Sequence, residues 1–380
     1  MTLSVRQPPY VIPSYSLTGD LLAYRACGLQ YRYHNRGSLP PSTPVQLWFG
    51  EFIHGVMEEA YLRWNQNRQS FPWYWNPDIR AIEIHIDRRL RARGLYAPPN
   101  LFDRAGTNQL IASQRAEASI NIWGPHLFPL IADAEVWLKG IRPMLKPPSG
   151  KPRADYYEIQ GVVDVIGSVQ LANAPSGNLI LHYLHNNPQI QREMSKLTGT
   201  TYEIIIDYKG MRRPNLTTQE WQDYERQILT YAWLRSQQPR TSPVIAGILL
   251  FLNELVPSRE DIKELYREVK SSSPTTDIVP IGPDLQALCS WQDGSPTNLS
   301  QPLREQRSIR IIPIAPSSLQ ASLQNFDSVV EGIEDSVIRE SSGGGIINCW
   351  QANPARRRCT ACDFKTFCLQ SKQPGPPTAP

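Results

Sequence analysis

The sequence predicts an α/β fold, a mixed β-sheet core flanked by helices, and three observations predict it. The run Tyr202-Glu203-Ile204-Ile205-Ile206-Asp207-Tyr208-Lys209 is β-branched and apolar over most of its length, as a central strand buried on both faces must be. Residues 134–139 and 157–166 alternate or run apolar in the manner of strands. Between the central strand and another apolar strand at 244–252, Trp221, Tyr224, Ile228, Tyr231 and Leu234 recur on one side of a helix.

From the N-terminus, a Pro-rich start gives way to a short helix that holds Cys27 among Tyr24, Tyr31 and Tyr33. Phe49, Phe52, Ile53, Val56, Ala60 and Trp64 then recur at helical spacing, so this amphipathic helix carries Gly50, Glu51 and His54, with His54 at the border of its apolar face. Residues 66–110 are rich in Trp, Arg and Pro and predict a helix only at 82–93; another is predicted at 108–123. A hairpin through the Lys/Pro/Gly-rich stretch 142–154 joins the first two strands, and a polar loop insertion at 168–200 precedes the central one.

Beyond the last strand, residues 257–345 read as a Ser/Pro-rich insertion of unknown role with helices at 261–270 and 317–339, closing on a flexible joint at 341–345. The chain thus divides into a core at 16–256, that insertion, a Cys-rich segment at 346–370 that packs with the Cys27 region, and a disordered tail at 371–380.

Composition narrows the class. With 380 residues, 41% hydrophobic and 19% charged, most of the chain should fold. The 34 prolines and 23 glycines point to long ordered loops, and a formal charge of +4 permits a polyanionic partner without requiring one. No apolar leader is visible and the longest apolar stretch, 244–252, is too short to span a bilayer, so the expected setting is cytoplasmic and away from membranes.

In a strand, residues i and i+2 project from one face, so Asp207 and Lys209 stand side by side while Tyr208 points the opposite way. A second carboxylate, Asp164, follows Gly161-Val162-Val163 in a strand that can lie beside them. Two converging carboxylates suit a hard divalent cation such as Mg²⁺ or Mn²⁺. Such a cation activates water and offsets charge in phosphodiester hydrolysis, with Lys209 orienting the water or stabilising the charge. The blander alternative is a surface ion pair at a strand end. Gln227 and Tyr231, four apart on the following helix, share a face and read otherwise as plain helix-surface residues.

Cys359, Cys362 and Cys368 form C-x2-C-x5-C, and a tetrahedral thiolate site needs one more ligand, from Cys27 or from Cys349. Iron–sulfur and Zn²⁺ both suit four thiolates. Cys289 stands alone and reads as a core residue. The basic run Arg356-Arg357-Arg358 next to the cluster reads either as a phosphate contact or as a solvated face, and the three tyrosines either as base-stacking platforms or as packing.

Taken in order and spacing, these residues resemble the RecB-like nucleases of the PD-(D/E)XK superfamily, in the iron–sulfur branch that includes CRISPR-associated exonucleases and the nuclease domain of AddB-type recombination subunits. The resemblance covers residues 16–256 and 346–370. It implies a restriction-endonuclease-like core closed by a metal-clamped lobe of the two chain ends. It implies that His54, Asp164, Asp207 and the Tyr208 carbonyl bind Mg²⁺ or Mn²⁺, that Lys209 assists catalysis, and that Gln227 and Tyr231 position DNA. It further implies a [4Fe–4S] cluster on Cys27, Cys359, Cys362 and Cys368. Glu135 resembles a Glu early in the family core, without an assigned catalytic role. Asp164 follows Val163 instead of the family's proline, and the 168–200 insertion lies between the two catalytic strands.

The implied activity is hydrolysis of DNA, single-stranded and from an end. No G-x-x-x-x-G-K-[ST] motif is present, so unwinding would fall to a helicase partner. Two rival classes are a catalytically silent DNA-binding scaffold with the same fold and a zinc-stabilised interaction protein.

Overall fold

The computed structural model describes residues 12–36, 45–271, 275–292, 299–360 and 362–371. Apart from Ser371, the expected tail at 371–380 lies outside them, as do the side chains of Arg356 and Arg357.

Strand β1 (Ser14–Ser16) leads through a helical turn into α1 (Ala23–Ala26) and α2 (Gly28–Arg36). Helices α3 (Val45–Asn67), α4 (Arg80–Ala92) and α5 (Ile111–Leu127) come before the long strands β2 (Ile131–Pro143) and β3 (Tyr156–Gln170). Two short helices, α6 (Leu179–His185) and α7 (Pro188–Met194), precede β4 (Thr201–Lys209), α8 (Gln219–Ser236) and β5 (Val244–Phe251). The remainder comprises α9 (Arg259–Lys270), α10 (Gly282–Cys289), α11 (Gln301–Ser308), β6 (Ile309–Pro313), α12 (Pro316–Ser341), α13 (Ile346–Cys349) and α14 (Arg356–Thr360).

The six strands form one mixed sheet in which β1, β3, β4, β5 and β6 are successive neighbours and β2 also pairs with β3. β1–β3 and β4–β5 run parallel, while β2–β3, β3–β4 and β5–β6 run antiparallel. Parallel neighbours need a crossover connection, which α8 supplies between β4 and β5. Helices cover both faces, so β4 is buried from Tyr202 to Tyr208 and its sequence is apolar almost throughout. Ile204, Ile206 and Tyr208 pack with Phe52, Ile53 and Trp123 on the side of α3 and α5. Ile205 packs on the other face, with Ile228 of α8 and Val330 of α12. Asp207 and Lys209 share the parity of Ile205 and therefore lie toward α8.

Close packing of α8 depends on glycines in the strands beneath it. A Cβ at Gly161 of β3 would lie 2.8 Å from the Tyr231 ring, and one at Gly247 of β5 would lie 3.3 Å from Ile228 Cβ and collide with Ile228 Cγ2.

The 168–200 stretch, expected as a loop, holds two helices, α6 and α7. Asn178 caps α6 by accepting from Leu181 N–H and Asn187 caps α7 by accepting from Ile190 N–H, so the polar residues that suggested a loop are helix starts. Residues 257–345 are built into the domain: β6 extends the sheet beside β5, and α12 packs on α8. Glu254 accepts from Arg307 Nε at 2.6 Å and from Arg213 N–H at 2.9 Å, while Asp277 accepts from Arg213 Nε and Arg310 Nη2, each at 2.8 Å. The expected joint at 341–345 is the end of α12, where Gly343 adopts φ 94° and Gly344 N–H bonds Arg339 C=O at 3.0 Å. Cys289 is exposed, contrary to its expected core position, because α10 buries only Leu288. Among the described residues no helix is long and apolar enough to cross a membrane.

Candidate metal and active centre

Three elements remote in sequence deliver the acidic–lysine set to one place. His54 projects from α3, Asp164 from the middle of β3, and Asp207 and Lys209 from the end of β4. Asp164 Oδ2 accepts the Tyr208 N–H at 2.8 Å and lies 3.3 Å from His54 Nδ1. His54 Nε2 donates to the Tyr208 carbonyl at 2.8 Å. Both ring nitrogens thus face acceptors, an arrangement that favours the doubly protonated ring. Burial opposes that charge, but Asp164, with Asp207 behind it, outweighs burial and pushes the His54 pKa up to about 9.

The two aspartates diverge. For Asp164, burial is outweighed by the His54 charge, which holds its carboxyl below the ordinary value. For Asp207, only 2% exposed, burial raises the pKa; Lys209 works against the rise and the Asp164 charge adds to it. Asp207 is no surface residue, so the surface ion-pair reading fails. Its Oδ2 is paired with Lys209 Nζ and has no second hydrogen-bond partner among the described residues.

Lys209 is itself held. Its Nζ donates to Gln227 Oε1 at 3.0 Å and sits 4.5 Å over the Tyr224 ring, while Gln227 Nε2 donates to Tyr231 OH at 3.3 Å. Gln227 and Tyr231 are buried, so the helix-surface reading does not stand; here they fix the lysine.

Glu135 enters as a residue the sequence reading left outside the site. In the β2–β3 register Ala134 pairs with Val165 and Val136 with Val163, which sets Glu135 opposite Asp164. Its backbone adopts φ 52°, a conformation uncommon for Glu and frequent where a site dictates geometry. Partial removal from water, then the Asp164 charge, pushes its pKa up to about 7, against His54 and with Glu58 and Glu51 contributing. Ligand atoms of His54, Glu135 and Asp164 lie within 4.8 Å of one another. One imidazole and several carboxylates brought this close suit a hard divalent cation. A cleft of about 910 Å³ opens in front of His54, Tyr208 and Lys209, with Glu260 and Glu264 of α9 on its other wall.

Away from this centre, Cys27, Cys359, Cys362 and Cys368 line one cavity of about 30 Å³ together with Tyr33 and Phe364. Cys27 Sγ accepts the Asn353 N–H at 3.4 Å, and burial first of all pushes the Cys362 thiol up. Cys349 does not line this cavity and is buried beside Gly344. Among the described residues no three cysteine sulfurs come within 4.8 Å of one another. Tyr24 and Tyr31 pack edge to face at 5.7 Å and both contact Trp350, so these two tyrosines are packing residues.

Neither a scan against protein-family models nor a search of curated proteins returns a match for this chain.

Proposed function

We propose that this protein is a divalent-cation-dependent nuclease of the PD-(D/E)XK type that hydrolyses phosphodiester bonds in DNA. The observation that carries the reading is the convergence of His54, Asp164, Asp207 and Lys209, from α3, β3 and β4, on the Tyr208 peptide group. A chance D-x-K at a strand end has no reason to meet a second buried carboxylate and an imidazole.

Asp164, Asp207, His54 and the Tyr208 carbonyl would hold Mg²⁺ or Mn²⁺, with Glu135 within reach. When bound, the cation supplies an activated water and charge neutralisation at the scissile phosphate. Lys209 orients that water or meets the developing charge, and Gln227 and Tyr231 keep its ammonium from collapsing wholly onto Asp207. To serve as a cation ligand His54 would have to be neutral and so would give up the proton it holds toward Asp164.

The four cysteines around one cavity support a [4Fe–4S] cluster that joins the Cys27 region to the C-terminal segment. Tetrahedral Zn²⁺ on the same four thiolates is the alternative.

Anaerobically purified protein should be brown and should cleave end-labelled single-stranded DNA with Mn²⁺. Asp207→Asn and Lys209→Ala should keep iron content and melting temperature while losing cleavage. Wild-type rates in either variant would remove the active-site assignment, and a brown, inactive wild type would point to a silent DNA-binding subunit.

A further inference from the structure

The antiparallel ribbon β2–β3 extends past the sheet's helical cover. Leu138, Gly140 and Arg142 of β2 face α8 and α12: Leu138 is in their core, a Cβ at Gly140 would collide with Trp233, and Arg142 sits over the Trp233 ring. The alternate residues face the side from which α3 brings His54, and they are open. Trp137 is 60% exposed, Ile141 55% and, across the register beside Pro143, Tyr156 54%. Large apolar groups so placed on one face seldom go unused. The same face carries Lys139, which lies 3.7 Å from the Glu158 carboxylate across the ribbon, and the connecting loop carries exposed Lys146 and Lys151.

Resting on the nuclease reading above, we propose that the open face of β2–β3 is the track for single-stranded nucleic acid entering the active centre, with Trp137 stacking on the base beside the scissile phosphate. Continuity carries the assignment. Glu135, within 4.8 Å of the His54 and Asp164 ligand atoms, precedes Trp137 by two residues on the same strand, a rise of about 6.6 Å. From Glu135 to Pro143, where Tyr156 lies alongside, the ribbon runs about 26 Å, room for several unpaired nucleotides. Aromatic faces with Lys139 between them and further lysines in the connecting loop suit a base-stacking, backbone-tracking groove, in which a phosphate would compete with Glu158 for Lys139. The other approach to the centre is the wall of α9, where Glu260 and Glu264 repel a polyanion.

The test is fluorescence anisotropy of a labelled oligothymidylate with EDTA present, so that no turnover occurs, for wild type, Trp137→Ala, Trp137→Phe and Lys139→Glu. Trp137→Ala should weaken binding about five- to hundred-fold, the range for loss of one base–aromatic stack, Trp137→Phe should restore most of it, and Lys139→Glu should weaken binding and flatten its salt dependence. Equal affinity in wild type and Trp137→Ala overturns the track. So does a wild type that cleaves duplex DNA with Mn²⁺ but binds no oligothymidylate, an outcome that leaves the nuclease reading standing. If sedimentation instead shows a dimer that Trp137→Ala dissolves while oligonucleotide binding is unchanged, the face belongs to a second copy of the chain.

Discussion

Replacing Gly247 by alanine tests how α8 is held against the sheet, and with it how Lys209 is positioned. The added methyl would stand 3.3 Å from Ile228 Cβ and 3.6 Å from its Cγ1, and would overlap Cγ2. Optimal carbon contacts are about 3.5–4.0 Å, so rotating Ile228 relieves the overlap only in part, and a β-branched residue in a helix has one strongly favoured rotamer. Helix α8 must then move away from β5. Overpacking of this kind costs about 1–3 kcal/mol. Ile228→Ala alone removes the opposing atoms and should cost about 2–5 kcal/mol through the cavity left behind. In the double variant the methyl occupies part of that cavity, so the total should fall short of the sum by about 0.5–3 kcal/mol. Urea denaturation of the four proteins at constant m-value gives this coupling directly. Additive losses would refute the close approach. Gln227 adjoins Ile228, so Gly247→Ala should also slow cleavage more than its folded fraction explains, and Ile228→Ala should restore part of that rate.

Two further outcomes follow from groups outside the acidic centre. Burial would raise the Asp277 pKa, but the Arg213 guanidinium first and Arg310 after it hold it at about 2, against 3.8 for the ordinary group, with the side chain 18% exposed. A depressed carboxylate stabilises the fold at pH values above its unfolded pKa and loses that stabilisation as pH falls from about 4 through about 2; screened for partial exposure, it amounts to about 1–2 kcal/mol. Stability curves from pH 5 to 2 should therefore be steeper for wild type than for Asp277→Asn, and parallel curves would contradict this role. Cys362→Ala should lose the bound metal group and lower the melting temperature, because a site joining residue 27 to residues 359–368 closes most of the chain; unchanged metal content and melting temperature would discard the clamp.

The acidic centre was legible because strand periodicity alone assigns faces. Once residues 202–209 are a central strand, Asp207 and Lys209 must share a side and Tyr208 must face α3, where its ring meets the His54 ring edge to face at 5.7 Å. The helical spacing of Phe49 to Trp64 placed His54 at the edge of an apolar face, where it meets that strand. Glu135 was harder to place. Its position depends on a left-handed backbone and on pairing with β3 across a thirteen-residue strand, and neither leaves a local pattern in the sequence. Gln227 and Tyr231 had the right spacing but uncertain depth, since a polar pair on a helix signals burial only once its partner, Lys209, is known to lie beneath it.

Residues 257–345 resisted reading for a different reason. Five residues, Ile309–Pro313, make a strand too short to stand out, and Arg310 within it argues against burial. In the structure that arginine is 5% exposed, over the Trp221 ring at 4.2 Å, and Asp277 and the Pro214 carbonyl accept from it. Arg307 is likewise buried against Glu254, Thr276 and the Ile278 carbonyl. The segment is therefore tied by charge as well as by the apolar residues of β6 and α12, and buried pairs of this kind are strongly destabilising when one member is lost. These ties meet at Arg213, four residues beyond Lys209, whose guanidinium bonds Asp277 and the Arg307 and Ile309 carbonyls. The loop that leaves β4 is thus anchored by the very stretch whose role its sequence left open, so truncation after residue 256 would release one wall of the cleft along with β6.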